Sequence, residues 1–484
     1  MSIIKNSLIS GFTKVLSANI VVLVVGLIIS FIIPMSLSTD NYGYLQLFTL
    51  YLAYNGFFIL GFNDGIHLNY AGVIYDKTLF LKFRTFVKVV AITSLIGVFI
   101  VVLLSLLFGE GEKQFIFIMT GVSIIIVGLN GFTSYTNQNT FRFSRYSQSI
   151  LIEKIVYFIL VILLVYMKSD NYKLFVYAIF ISSLIKLIFN LITSHEIFFF
   201  FFLKIRELKS EIVHNFQSGF AVMITLILYS SINTGGRLLI ERYMGIEKFG
   251  VFSFALNTLV IATVFFTAIS QVFYPILAKI KDNMHLIQDN IDEILFIVSI
   301  ILLFSYFPVY FLIKTYYEQY TSLLNYLTLL YPLFIFKGKY LVLIMNGLKV
   351  TKRLKVLIIN SIIGIVANSV LTAIAIFLFN SMFYVALAFL ISHIIWYYYG
   401  LINYNRAMNI KHKYNQYLDL LIVSAFLTAT TISSFIASSI ISYLVLGVLF
   451  QLVILIIYIF VKKDKLIVSI SVIKNLRGEI NYDT

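Results

Sequence analysis

Fourteen runs of mostly apolar residues follow one another along this chain, each close to the roughly 20 residues that carry an α-helix across a bilayer. They occupy residues 15–35, 44–62, 89–108, 115–131, 150–167, 174–192, 216–232, 249–274, 294–313, 323–345, 356–379, 382–401, 420–437 and 441–461. The largest gaps between runs, 63–88 and 193–215, are too small for a soluble domain. Only 12% of the 484 residues are charged, and 60% are apolar; a soluble domain carries about 25% charged residues. Such a chain cannot cover itself against water, so most of its surface faces lipid. The pattern predicts an all-α polytopic membrane protein of about 14 transmembrane helices. Function therefore has to reside among the helices.

A formal charge of +15 raises the question of nucleic acid. The distribution of the charge answers it. Of the 36 Lys and Arg, seven (Lys113, Lys168, Lys173, Arg237, Arg242, Lys248 and Lys314) fall in segments opposite the N-terminus, and Lys186, Lys337 and Lys339 fall within runs. The other 26 are assigned to the N-terminal side, Lys154 among them because it stands near the start of the fifth run. Positive charge collects on the cytoplasmic side of membrane proteins, so both termini are expected there and no nucleic-acid partner is needed. Lys5 and Lys14 precede the first run, but no small-residue cleavage site follows it, so it reads as a retained first helix. Ile3, Ile4, Leu8, Ile9 and Phe12 form an amphipathic stretch suited to the interface. The aromatic run from Phe198 to Phe202 reads as an extension of the sixth span along lipid.

An internal repeat is visible. Asp40-Asn41-Tyr42-Gly43-Tyr44 and Glu247-Lys248-Phe249-Gly250-Val251 share an acid, a polar residue, an aromatic and a glycine. Each stands just before the second run of a set of six. An even number of spans per set gives both sets the same orientation, as in transporters with parallel repeats. The expected organisation is a six-helix lobe over 1–203, a cytoplasmic linker over 204–215, a second six-helix lobe over 216–403, and two extra helices with a tail over 404–484.

Three segments add a resemblance. They are Leu60-Gly61-Phe62-Asn63-Asp64-Gly65-Ile66-His67-Leu68-Asn69-Tyr70; Arg237-Leu238-Leu239-Ile240 with Gly245-Ile246-Glu247-Lys248-Phe249-Gly250-Val251-Phe252-Ser253; and Gln271-Val272-Phe273-Tyr274-Pro275-Ile276-Leu277. In order and spacing over 12 spans, the chain resembles the polysaccharide flippase branch of the superfamily that also holds multidrug/toxin extruders and lipid II flippases. Phe12-Thr13-Lys14-Val15-Leu16 is similar to the first-helix basic motif of the lipid II flippases. The resemblance implies transfer of an oligosaccharide on a polyprenyl phosphate or pyrophosphate from the inner to the outer leaflet of a bacterial plasma membrane. It also implies membrane lipids and glycan-assembly enzymes as partners, and a role for the last two helices in guiding the lipid tail.

Moving a phosphate through hydrocarbon needs a polar cavity with matched cations, and ionisable residues inside spans are the candidates. Lys337 lies about eight residues from the cytoplasmic end of its run, roughly 12 Å deep. Lys339, two positions on, points about 200° away. One of the two is expected in the cavity and the other paired or reaching for the interface, with Gly338 between them as a place for the helix to deform. Arg237 follows the polar run Ser230 to Gly236, and its planar fork suits phosphate oxygens; the alternative is an ion pair with Glu241 at helical spacing. Asp64, with Asn63 and His67 beside it, reads as a gate or coupling carboxylate, or else as a helix cap or a partner for a cytoplasmic Lys. Lys14 reads as a cavity cation or an interfacial anchor. Lys186 is expected to snorkel to the inner interface, and His393 and Trp396 to pack.

No catalytic residue is expected. The first outer loop offers only Asp40, six His are scattered, Cys is absent, and no Gly-rich phosphate loop occurs. These features argue against a cofactor, a metal site and ATP hydrolysis. Two rivals remain: a cation-coupled drug extruder of the same superfamily, which needs buried carboxylates, and a membrane polysaccharide polymerase or ligase, which needs a large outer loop.

Overall fold

The computed structural model describes residues 2–73, 76–198, 204–279, 284–408 and 417–482. The side chains of residues 1–12 and all of residues 199–203 lie outside the described set, and with them the amphipathic N-terminal stretch and most of the Phe198–Phe202 run. Among the described residues every regular element is helical. Eleven helices are long and apolar enough to cross a membrane, and three sharply bent pairs bring the number to 14. These segments fall one to one, in order, on the apolar runs. The chain is a multi-pass membrane protein.

The three bends have local causes. Thr39–Ile59 turns by 64° into Phe62–Asn69, and the hinge is Leu60 and Gly61, both with positive φ. Glu318–Leu330 turns by 50° into Leu333–Val350 around Pro332, which cannot donate to the preceding turn. Ile246–Thr258 turns by 45° into Val260–Tyr274; there the Thr258 hydroxyl donates back to the Ala255 carbonyl at 2.7 Å, a contact that competes with the helical ladder.

The chain divides into two compact units, Met1–Ser230 and Ser231–Thr484. The first holds α1 (Ser2–Ser36), α2 (Thr39–Leu52), α3 (Phe62–Asn69), α4 (Lys77–Phe108), α5 (Gly111–Asn139), α6 (Phe143–Tyr166), α7 (Tyr172–Thr193), the short α8 (His195–Phe198) and α9 (Lys209–Ser230). Short α3 crosses α9 backbone to backbone. A Cβ on Gly65 would stand 1.9 Å from the Asn215 carbonyl oxygen, and one on Gly219 would stand 2.0 Å from that of Gly61. In lipid, association rests on such close packing rather than on apolar burial. Beside this crossing Phe62, Phe83, Phe86 and Phe132 form one buried cluster.

The span edges differ from the apolar runs where polar residues sit in the first turns of a helix. The fifth helix begins at Phe143, not at residue 150, because Ser144, Ser147, Gln148 and Ser149 lower the hydropathy of a first turn that is still helical. Glu153 and Lys154, near the start of the apolar run, are therefore at the middle of the helix, and Lys154 does not belong with the cytoplasmic cations.

The second unit holds α10 (Thr234–Met244), α11 (Ile246–Thr258), α12 (Val260–Lys279), α13 (Met284–Leu303), α14 (Tyr306–Tyr316), α15 (Leu324–Leu330), α16 (Leu333–Lys339), α17 (Asn346–Val350), α18 (Leu354–Ile374), α19 (Met382–Met408), α20 (Leu418–Ile436) and α21 (Ile440–Tyr482). Two π-helical stretches, Tyr340–Met345 and Ala375–Phe379, follow α16 and α18. Gly338 is not the point of deformation. The bend is at Pro332 and the π turn starts at Tyr340, while Gly338 makes room for Phe266, whose ring lies 2.2 Å from where a Cβ would be.

Candidate functional site

In the second unit α10 carries Arg237 and α16 carries Lys337. The Arg237 guanidinium donates to the Ser253 hydroxyl at 2.8 Å and lies over the Phe249 ring, 5.1 Å from its centroid. Both partners come from the Phe249-Gly250-Val251-Phe252-Ser253 segment that follows it. Lys337, half-buried, is near enough to Arg237 for the two positive charges to repel. It makes no hydrogen bond or ion pair among the described residues. His393, wholly buried on α19, also feels the Lys337 charge. Its Nδ1 is 2.8 Å from the Phe389 carbonyl oxygen, and its ring stands edge-on to Trp396. Trp396 in turn stacks on Tyr340 with centroids 4.0 Å apart.

Lys339 has the opposite environment. It is fully buried, and its ammonium donates to Asp419 at 2.8 and 2.9 Å and lies 2.6 Å from an Asp292 oxygen. The two carboxylates come from α20 and α13, so Lys339 ties three helices to one point. Next to Asp292, the Glu293 carboxylate accepts from the Tyr458 hydroxyl and pairs with Lys465 at 2.7 Å, both on α21.

In the first unit Asn63 and Asp64 lock the broken second span to α5. The Asn63 amide donates to the Gly128 carbonyl at 3.0 Å, and the Tyr135 hydroxyl donates to Asp64 at 3.2 Å. His67 stacks on Tyr135 with centroids 4.5 Å apart and meets the Asn139 side chain at 2.8 Å. Lys14 on α1 donates to the Ser144 hydroxyl of α6 at 3.0 Å. Lys186 does not snorkel: Glu153 holds it at 2.7 Å. That acid sat at the edge of an apolar run, so its place inside the span was hidden.

Beyond the end of α7, Glu196 gathers three arginines. Its side chain accepts from Arg142 and, at 2.5 Å, from Arg145, and its carbonyl accepts from Arg84 at 2.7 Å. Burial alone would raise the Glu196 carboxyl; its own backbone amide and the Arg145 and Arg142 hydrogen bonds outweigh that and hold it below the usual carboxylate range.

Comparison with known proteins agrees with this architecture. A lipid II flippase, MurJ, in an inward closed conformation superposes with a TM-score of 0.67 at 17% identity, over 93% of this chain and 99% of that one. An inward-facing multidrug resistance MATE family transporter of the MOP superfamily superposes with a TM-score of 0.60 at 12% identity, over 80% of this chain and 95% of the other. At those identities the likeness establishes the fold. No curated protein matches by sequence. The family model described as polysaccharide biosynthesis protein matches residues 37–312, more than half of the chain. With the fold of the MOP-superfamily transporters and that match, the chain belongs to the polysaccharide biosynthesis protein family.

Proposed function

We propose that this protein is a flippase that moves an oligosaccharide on a polyprenyl phosphate or pyrophosphate from the inner to the outer leaflet by alternating access. One observation carries the reading. The positive charges of Arg237 and Lys337 act on one another, and Lys337, on one of the bent membrane-crossing helix pairs, has no carboxylate partner among the described residues. A cation in lipid without a counter-charge, as at Lys337, is costly, and an anion offsets that cost. A guanidinium and an ammonium are the donors that suit phosphate oxygens. A carrier of organic cations would need the reverse polarity at this place.

In this reading Arg237 and Lys337 hold the phosphate, while Lys339 fixes the helices around them. Asn63 and Asp64 serve the gate at the broken second span. The two like-oriented six-helix repeats of the sequence reading rock during transport, and the last two helices guide the lipid tail. The setting is a bacterial plasma membrane, with both termini cytoplasmic and glycan-assembly enzymes supplying the substrate.

Export of the glycan in cells is the test. Arg237→Ala and Lys337→Ala, each present in the membrane at the wild-type level, are expected to lose export, the double variant most of all. Full export by the double variant would overturn the reading. Unchanged glycan export together with a new drug sensitivity would favour the extruder instead.

A further inference from the structure

Lys154 is the twelfth of the 24 residues of α6, so its ammonium starts from the middle of a span. Its neighbour Glu153 does not neutralise it by contact, because that carboxylate is taken up by Lys186 at 2.7 Å and the Ser183 hydroxyl at 2.8 Å. Lys154 makes no hydrogen bond or ion pair among the described residues. It lies over the Tyr157 ring, 5.6 Å from the centroid, and fills a notch in α1, where Nζ is 3.5 Å from the position a Cβ of Gly26 would take.

The same seam between α1 and α6 opens further down into a cavity of about 530 Å³ lined by Lys14, Ser17, Ser144, Ser147 and Gln148 among others. Ser147 and Lys154 are seven residues apart and so share a helix face. Ser144 to Lys154 is ten residues, about 15 Å of helix, or half of a hydrocarbon core about 30 Å thick. The cavity thus starts at the Lys14 end and reaches Val21 and Leu151, about one helical turn short of Lys154. Its polar lining consists of ammonium, hydroxyl and amide groups with no carboxylate. Alongside it, Leu16, Ile20 and Val24 of α1 and Ile155 and Ile159 of α6 present exposed apolar surface.

We propose that the α1/α6 seam is a binding track for the phosphate of the transported lipid, with Lys14 as its first cation and Lys154 as its mid-membrane one. The proposal rests on the flippase reading and adds to it a second phosphate station, in the first unit. Depth selects the occupant. Bulk phospholipids keep their phosphates at the interface, so a phosphate meets Lys154 only while its lipid is crossing. The donors take the phosphate oxygens, and the apolar faces beside them leave the tail in lipid.

Binding of radiolabelled polyprenyl phosphate to the full-length protein in phosphatidylcholine nanodiscs tests this. Lys154→Gln is expected to weaken binding about tenfold, the size of one charge-assisted hydrogen bond, and Lys154→Arg to retain it. Polyprenol, without the phosphate, is expected to bind wild type and Lys154→Gln alike. Equal affinity of the two proteins for polyprenyl phosphate would overturn the track. So would displacement by an equimolar amount of phosphatidylglycerol, which would mark a site for bulk anionic lipid. Should Lys154→Gln not fold, Ser147→Leu obstructs the groove with Lys154 intact, and unchanged binding there has the same force. Weakened binding in Arg237→Ala with none lost in Lys154→Gln removes the track and keeps the flippase reading. A wild-type protein that binds no polyprenyl phosphate removes both.

Discussion

Lys337 and Lys339 stand two residues apart on α16 in opposite electrostatic surroundings. Lys339 is enclosed by Asp292 and Asp419 and joins α13, α16 and α20. Lys337 faces Arg237 and His393 and has no carboxylate partner among the described residues. The helix explains the separation, since two positions turn a side chain by about 200°. The energetic consequence is a division of labour. A buried charge with its counter-charges matters to the fold, because removing one partner strands the others. A buried charge without them adds little to the fold and is available to a ligand.

The largest effect should come from breaking the enclosed cluster. Lys339→Ala leaves two carboxylates stranded and is expected to cost roughly 3–5 kcal/mol, read as a lowered unfolding temperature in detergent or as loss of protein from the membrane. Replacing Lys339, Asp292 and Asp419 together with Met, Asn and Asn should recover most of that loss, because no bare charge remains. If Lys339→Ala is as stable as wild type, the contrast between the two lysines is wrong.

Next in size is the uncompensated side of the comparison. Lys337→Ala should leave the unfolding temperature close to wild type, yet lower glycan export about ten- to hundredfold, as expected for one lost charge-assisted contact. A stability loss as large as that of Lys339→Ala would make Lys337 a structural residue too.

A smaller effect is expected from a third charge cluster, the one around Glu196, which lies outside the membrane-spanning segments. Glu196→Gln should cost about 1 kcal/mol. Here the sign with pH follows from the lowered carboxyl. The folded protein holds the ionised form more firmly than the unfolded chain, so the contribution is present above the ordinary carboxylate range. It is lost as pH falls through the lower folded value. The difference in unfolding temperature between wild type and Glu196→Gln should therefore close on acidification; a difference independent of pH would remove the ion-pair explanation.

Much of the frame is legible in the residues themselves. All 14 apolar runs coincide with helices or bent helix pairs long and apolar enough to cross a membrane, because an uninterrupted stretch of apolar side chains is satisfied in a bilayer only as a helix. The hinge at Leu60 and Gly61 is also foreshadowed, in a glycine-bearing motif at the end of the second run. The helix edges are less legible. Residues 143–149 look like a loop by hydropathy although they are helical, and this made Lys154 look like a residue near the start of its span when it is in the middle.

The sequence alone determined that the chain is helical and crosses the membrane many times, since these follow from local composition and the length of each run. It could not say which charges meet. Asp419 lies 80 residues from Lys339 and Glu153 lies 33 from Lys186, so their pairing depends on how helices pack. Only the tertiary structure decided that Lys339 is compensated, that Lys337 joins Arg237, and that Lys154 rests in a notch beside Gly26.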